Sequence, residues 1–122
     1  MKNILLVDDD SIANFISTKL LQDTGISNIQ TAFNGREAID LINFNPFMPD
    51  VILLDLNMPI MDGFDFLEAF HDIKRQDKEN TKIIVLTSSD DPKDKIKAKK
   101  MGAADYLTKP LHRESLLMAI QG

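Results

Sequence analysis

Three aspartates, a threonine and a lysine stand where apolar runs of the chain give out. Asn3 to Val7 leads to Asp8 and Asp9, Val51-Ile-Leu-Leu to Asp55, Lys82 to Leu86 to Thr87, and Asp105-Tyr-Leu-Thr108 to Lys109. Val51 to Leu54 show no in-out alternation, the pattern of a strand covered on both faces in a parallel sheet. Such sheets bind ligands at the carboxyl ends of their strands. Gathered there, Asp8, Asp9 and Asp55 would repel one another and raise some of their own pKa values unless a cation occupied the cluster. Oxygen ligands without imidazole or thiolate favour a hard ion, and magnesium with its retained waters is the natural occupant. The cation and Lys109 can then neutralise two oxygens of an incoming phosphoryl group while Thr87 hydrogen-bonds to the third. Asp55 is placed to attack phosphorus in line, and the product is an aspartyl phosphate. Taken singly, Asp8 or Asp9 reads as a helix cap, Thr87 as a strand-end hydroxyl and Lys109 as a surface charge. Their joint placement on strand ends favours the chemistry.

Five strands alternating with five helices are expected to position these groups. The first helix has about four turns, with Ile12, Phe15, Ile16 and Leu20 as its apolar stripe and Gly25 as its stop. Ile29 to Ala32 is a weaker strand. Asn34, followed three residues later by Glu37, reads as a capping box opening a helix through about Asn43, on the stripe Ala38, Ile39 and Ile42. The loop from Asn43 to Pro49 has Phe44 and Phe47 as packing anchors. Pro59 and Asp62-Gly63 mark a turn, and Phe64, Leu67, Ala69 and Phe70 predict a helix from Gly63 to about Ile73. Lys74 to Asn80 reads as a solvated polar run. Asp91 and Pro92 start a helix that ends at Gly102. Lys109-Pro110 is a sharp turn, and Leu111 to Ile120 is a last helix with Leu116, Leu117 and Ile120 inward. Parallel neighbours need crossover connections, so the expected class is α/β, a doubly wound sheet with helices on both faces.

Composition narrows the function classes. The chain has 122 residues, 43% hydrophobic and 27% charged, which suits one globular domain over 1–122. It has no cysteine and only two histidines, His71 and His112, read as surface residues, so thiolate and imidazole metal sites are not expected. No apolar run is long enough for a membrane span and the amino terminus lacks a signal-peptide profile, so a cytoplasmic protein without membrane contact is the expectation. A formal net charge of -5 argues against direct nucleic-acid binding.

Val7-Asp8-Asp9, Asp55-Leu-Asn57-Met-Pro59 with Asp62-Gly63, Leu86-Thr87-Ser88, and Gly102-Ala-Ala-Asp105-Tyr106-Leu-Thr-Lys109-Pro110 resemble the receiver domain of two-component response regulators. The resemblance covers nearly the whole chain. It implies the flavodoxin-like (βα)5 fold with strand order 2-1-3-4-5, an order for which a member of this family is a standard example. It implies a phosphorylation-activated switch, not an enzyme with a separate substrate, whose phosphoryl donor is a sensor histidine kinase or histidine phosphotransfer protein. By match, Asp55 is the acceptor, Asp9, Asp55 and the backbone carbonyl of Asn57 coordinate magnesium, and Asp8 holds a metal-bound water. Lys109 contacts the phosphoryl group through a loop with a cis Lys109-Pro110 bond, and Thr87 and Tyr106 form the switch pair. The side chains of Asn57 and Ser89 occupy positions that tune the lifetime of the phosphoryl group.

The helix after Pro92, the fifth strand and the last helix form the usual output surface of receivers, open to a downstream protein target. That helix carries Lys93, Lys95, Lys97, Lys99 and Lys100, read as a solvated face or as a surface for an acidic partner. Without an output domain in these residues, the expectation is a stand-alone receiver, a phosphorelay intermediate or a piece of a longer protein. Two other readings compete. Asp8-Asp9-Asp10 contains the Asp-x-Asp of haloacid-dehalogenase-type phosphatases, with Asp8 as nucleophile, although Asp55 would then be unexplained. A receiver-like module that binds a partner without being phosphorylated is the other.

Overall fold

The computed structural model describes residues 2–44, 48–58, 61–88 and 90–121. The apolar runs form β1 (Asn3–Val7), β2 (Asn28–Ala32), β3 (Val51–Leu54), β4 (Lys82–Thr87) and β5 (Asp105–Thr108). All pair in parallel, in the order β2-β1-β3-β4-β5. Between and after them lie α1 (Ser11–Asp23), α2 (Gly35–Phe44), α3 (Gly63–Asp72), α4 (Pro92–Lys100) and α5 (Arg113–Gln121). The expected flavodoxin-like order is the observed one.

Successive strand residues point to opposite faces, and both faces are packed. Leu5, Val7, Ile52, Leu54 and Val85 meet Ala38 and Ile42 of α2, Phe66, Leu67 and Phe70 of α3 and Ala98 of α4. Ile4, Leu6, Leu53 and Ile84 meet Leu21 of α1 and Leu116, Ala119 and Ile120 of α5. This two-sided cover is why the strands read as continuous apolar runs.

Local signals act where expected. Asn34 Oδ1 accepts from the Glu37 amide at 2.8 Å before α2. Asp91 caps α4 with Pro92 at its first position, whereas Asp62, read only as part of a turn, also forms a reciprocal capping box with Asp65 on α3. Gly25 and Gly102 follow α1 and α4 at φ 92° and 108°, a left-handed conformation costly for other residues.

Several packing expectations are corrected. In α1 the inward residues are Asn14, Ser17 and Leu21, while Ile12, Phe15 and Ile16 are 69%, 63% and 50% exposed. Polar anchors at the helix start, described below, set its rotation and override the apolar stripe. Phe44 is not a packing anchor but is 85% exposed, since α2 continues through it and Ile42, two residues earlier, faces the core. Phe47 lies outside the described residues. In α3 the fully buried aromatic is Phe66, with Phe64 half-buried under Lys97 Nζ at 4.2 Å. The polar run after α3 is not merely solvated. It forms a short 3-10 helix, Gln76–Asn80, tied down by Arg75, which bonds the Ile42 carbonyl at 2.8 Å and Asp77 at 2.7 Å. In α5 Ala119 takes the inward place expected of Leu117. His71 and His112 are exposed, as expected.

Candidate functional site

β1 and β3 are adjacent, so their carboxyl ends bring Asp8 and Asp55 together. The Asp55 amide donates to the Val7 carbonyl at 2.9 Å, extending the ladder by one residue. Beyond it the chain must leave the sheet and start α3 in little space. A Cβ on Gly63 would lie 2.6 Å from Leu56 Cα and 2.7 Å from the Asp55 carbonyl oxygen, so only glycine allows this approach. The Asn57 amide then donates to Asp55 Oδ1 at 3.2 Å, turning the carboxylate back over the sheet edge.

The first acidic segment is fastened at several points. The Asp8 amide donates to the Ala32 carbonyl at 3.1 Å, and Asp8 Oδ1 accepts from the Asp10 amide at 2.9 Å. Asp10 Oδ1 caps α1 through the amides of Ile12 and Ala13 at 2.9 and 3.3 Å. Asn14 Nδ2 donates to the Asp8 carbonyl at 2.9 Å from the buried side of α1. These bonds orient α1 and turn its apolar residues outward. Asn14 is the contributor that sequence reasoning missed. Its only signal was a polar residue within a helix otherwise read by its apolar spacing.

Asp8, Asp9 and Asp55 offer carboxylate oxygens that lie within 4.8 Å of one another. From β5, Lys109 reaches across with Nζ 2.8 Å from Asp8 Oδ2 and 3.6 Å from Asp55 Oδ2. Its amide donates to the Thr87 carbonyl at 2.7 Å, and the Lys109-Pro110 peptide is cis. Thr87 is fully buried, and its Oγ1 accepts from Asn57 Nδ2 at 3.3 Å.

Burial pushes the Asp55 carboxyl above its ordinary 3.8, the Asp8 charge adds to the rise, and Lys109 opposes it. For Lys109, burial pulls the ammonium down, but the bond to Asp8 and the charges of Asp55 and Asp8 outweigh it, so its pKa lies above the ordinary 10.5. The expected repulsion is thus carried by Asp8 on Asp55, second to burial, and is opposed by Lys109. A donor set made of carboxylate oxygens, with residual negative charge, fits a hard divalent cation such as magnesium.

Tyr106 is buried on β5 against the α2-α3-α4 side of the sheet. It is the register partner of Val85, as Thr108 is of Thr87, so Tyr106 and Thr87 are diagonal neighbours on one face. The structure therefore brings together Asp8, Asp9, Asp55, Asn57, Thr87 and Lys109, with Tyr106 one step behind Thr87. Pro59 and Ser89 lie outside the described residues. Among those residues no helix is long and apolar enough to cross a membrane.

Comparison with known proteins shows the family and the fold. The family model for the response regulator receiver domain matches residues 4–121. The cell cycle response regulator CtrA of Brucella ovis is 36% identical over 98% of this chain and 48% of its own length, so the chain spans about half of such relatives. The chemotaxis protein CheY4 of Vibrio cholerae superposes with a TM-score of 0.85 at 36% identity, over 99% of this chain and 97% of that one. A two component response regulator from Cytophaga hutchinsonii gives 0.88 at 31% identity, over 98% and 93%.

Proposed function

The chain belongs to the response regulator receiver domain family, the phosphorylation-activated switches of two-component systems, and from that premise we propose that Asp55 is its phosphoacceptor. The observation that carries this is the convergence of three carboxylates, one lysine and one buried hydroxyl on adjoining strand ends. Receivers take their phosphoryl group from a histidine kinase or a phosphotransfer protein. In the proposed step an Asp55 carboxylate oxygen attacks phosphorus, the O–P bond forms, and the P–N bond to the donor imidazole breaks with its electron pair going to nitrogen. Lys109 neutralises one phosphoryl oxygen and Thr87 donates its hydroxyl proton to another. Asp9, Asp55 and the Asn57 carbonyl would hold magnesium with Asp8 in its outer shell, and the ion when bound supplies further positive charge to the phosphoryl oxygens.

Thr87 moving toward the new phosphoryl group would let Tyr106 turn into the vacated space, carrying the signal to the face of α4, β5 and α5. Moving a two-state equilibrium from 1:99 to 99:1 takes roughly 5.5 kcal/mol of differential stabilisation, within reach of several charge-assisted bonds. The lysines of α4, beside exposed Ile96, suit an acidic target. The outward residues of α1, Ile12, Phe15 and Ile16, begin at the rim of the site and suit the phosphoryl donor. The phosphatase alternative is disfavoured because the receiver family model matches residues 4–121 and because it leaves Asp55 without a role.

The test is chemical mapping. After incubation with acetyl phosphate and magnesium, borohydride reduces an aspartyl phosphate to homoserine, and peptide mass spectrometry locates it. Homoserine at 55 supports the proposal; homoserine at 8, or none in a protein that binds magnesium, opposes it.

A further inference from the structure

Asn14 buries an amide on the inward face of α1, where an apolar side chain would pack at less cost. A buried amide is unfavourable unless bonded, and this one donates to the Asp8 carbonyl at 2.9 Å. That carbonyl belongs to the peptide joining Asp8 to Asp9. Because a peptide is planar, holding its oxygen also fixes the Asp9 amide and restricts the direction in which the Asp9 side chain departs. Asp8 has other anchors: its amide on Ala32, and its carboxylate on the Asp10 amide and Lys109. Asp9 is exposed. Its carboxylate oxygen nonetheless stays within 4.8 Å of those of Asp8 and Asp55.

We infer that Asn14 is a positioning residue for the cation site, fixing the Asp8-Asp9 peptide so that the exposed Asp9 carboxylate converges with Asp8 and Asp55. The inference rests on the reading of that cluster as a magnesium site. Ordering Asp9 in advance removes a cost that cation binding would otherwise have to meet, and loss of such outer-shell partners typically weakens metal binding about 10- to 100-fold. Asn14 touches no ligand atom, so its effect is expected in affinity and not in the number of ions bound.

The experiment is calorimetric titration of the full chain with magnesium alone, no phosphoryl donor being present. It compares the wild type with Asp9→Asn, Asn14→Leu, Asn14→Ala and Leu21→Val, each also melted in chelator. Asn14→Leu keeps the volume and removes the donor, Asn14→Ala guards against misfolding of the first, and Leu21→Val loosens α1 away from the site. The expected result is wild-type affinity in Leu21→Val and an affinity about 10- to 100-fold weaker in both Asn14 variants. Wild-type affinity in a folded Asn14 variant overturns the inference, as does a loss that follows melting temperature equally in Leu21→Val. If the wild type binds no magnesium, or Asp9→Asn binds it unchanged, the reading of the cation site fails and the inference falls with it.

Discussion

The ammonium of Lys109 lies nearer to Asp8 than to Asp55, 2.8 Å against 3.6 Å. Lys109 therefore offsets the charge of the proposed acceptor less than that of the neighbouring acid, which holds the lysine in place. A cation entering the cluster competes with that ammonium for Asp8. Lys109→Met is expected to bind magnesium a few-fold more tightly, since a positive charge leaves the site. The same variant should take a phosphoryl group from acetyl phosphate roughly ten- to a hundredfold more slowly, because a charge that neutralises the phosphoryl oxygens is gone. Magnesium titration and phosphorylation kinetics separate the two effects. Weaker magnesium binding would contradict the geometry.

Asp55 makes folding pH-dependent in the absence of metal. Its folded-state pKa is raised above the ordinary 3.8, by burial first and then by Asp8. The folded state therefore holds the proton more strongly than the unfolded state does. Its contribution to stability is fully present below 3.8 and is lost as pH rises through the folded value. Asp55→Asn removes that loss. In chelator at neutral pH it is expected to be more stable than the wild type, with the advantage shrinking on acidification toward 3.8. Denaturant unfolding across that pH range checks the sign, and an advantage independent of pH would show that some other effect dominates.

Gly63→Ala probes the loop under Asp55. The added Cβ would meet backbone atoms of Leu56 and Asp55 below 3 Å, where no side-chain rotation offers relief. Overpacking of this kind costs about 1–3 kcal/mol. Because the strain falls on the Asp55 peptide, phosphorylation should slow as well as stability fall. Urea unfolding and phosphorylation rates on the same sample measure both.

Most of the fold was legible because strand burial on both faces and helix-capping residues are local signals, as at Val51 to Leu54, Asn34 and Asp91. The site was legible because strand ends announce themselves where apolar runs stop. The rotation of α1 was not. Apolar spacing marks a helix face but does not say which way the face points, and the deciding bonds, Asp10 to its own helix and Asn14 to Asp8, pair residues across a turn. Phe44 was misjudged for a related reason, since the spacing of large residues alone did not identify which of them face the sheet.

The outward face of α1 yields its own expectation. Phe15→Ser and Ile16→Ser remove exposed groups, so stability should change by no more than about 0.5 kcal/mol. Phosphorylation by acetyl phosphate should be unaffected, while transfer from a phosphohistidine protein that phosphorylates the wild type should slow. Equal transfer rates would place the donor elsewhere. Replacing Lys93, Lys97 and Lys100 of α4 by alanine should leave both phosphorylation reactions intact and weaken capture of an acidic target, read by binding at low and high salt.

Asp55 as phosphoacceptor is tested most directly by the intact mass of the protein after incubation with acetyl phosphate and magnesium, for wild type and Asp55→Asn, with chelator as control. One metal-dependent phosphoryl adduct on the wild type, absent from Asp55→Asn, is the expected result. An adduct that persists in Asp55→Asn and disappears in Asp8→Asn would contradict it.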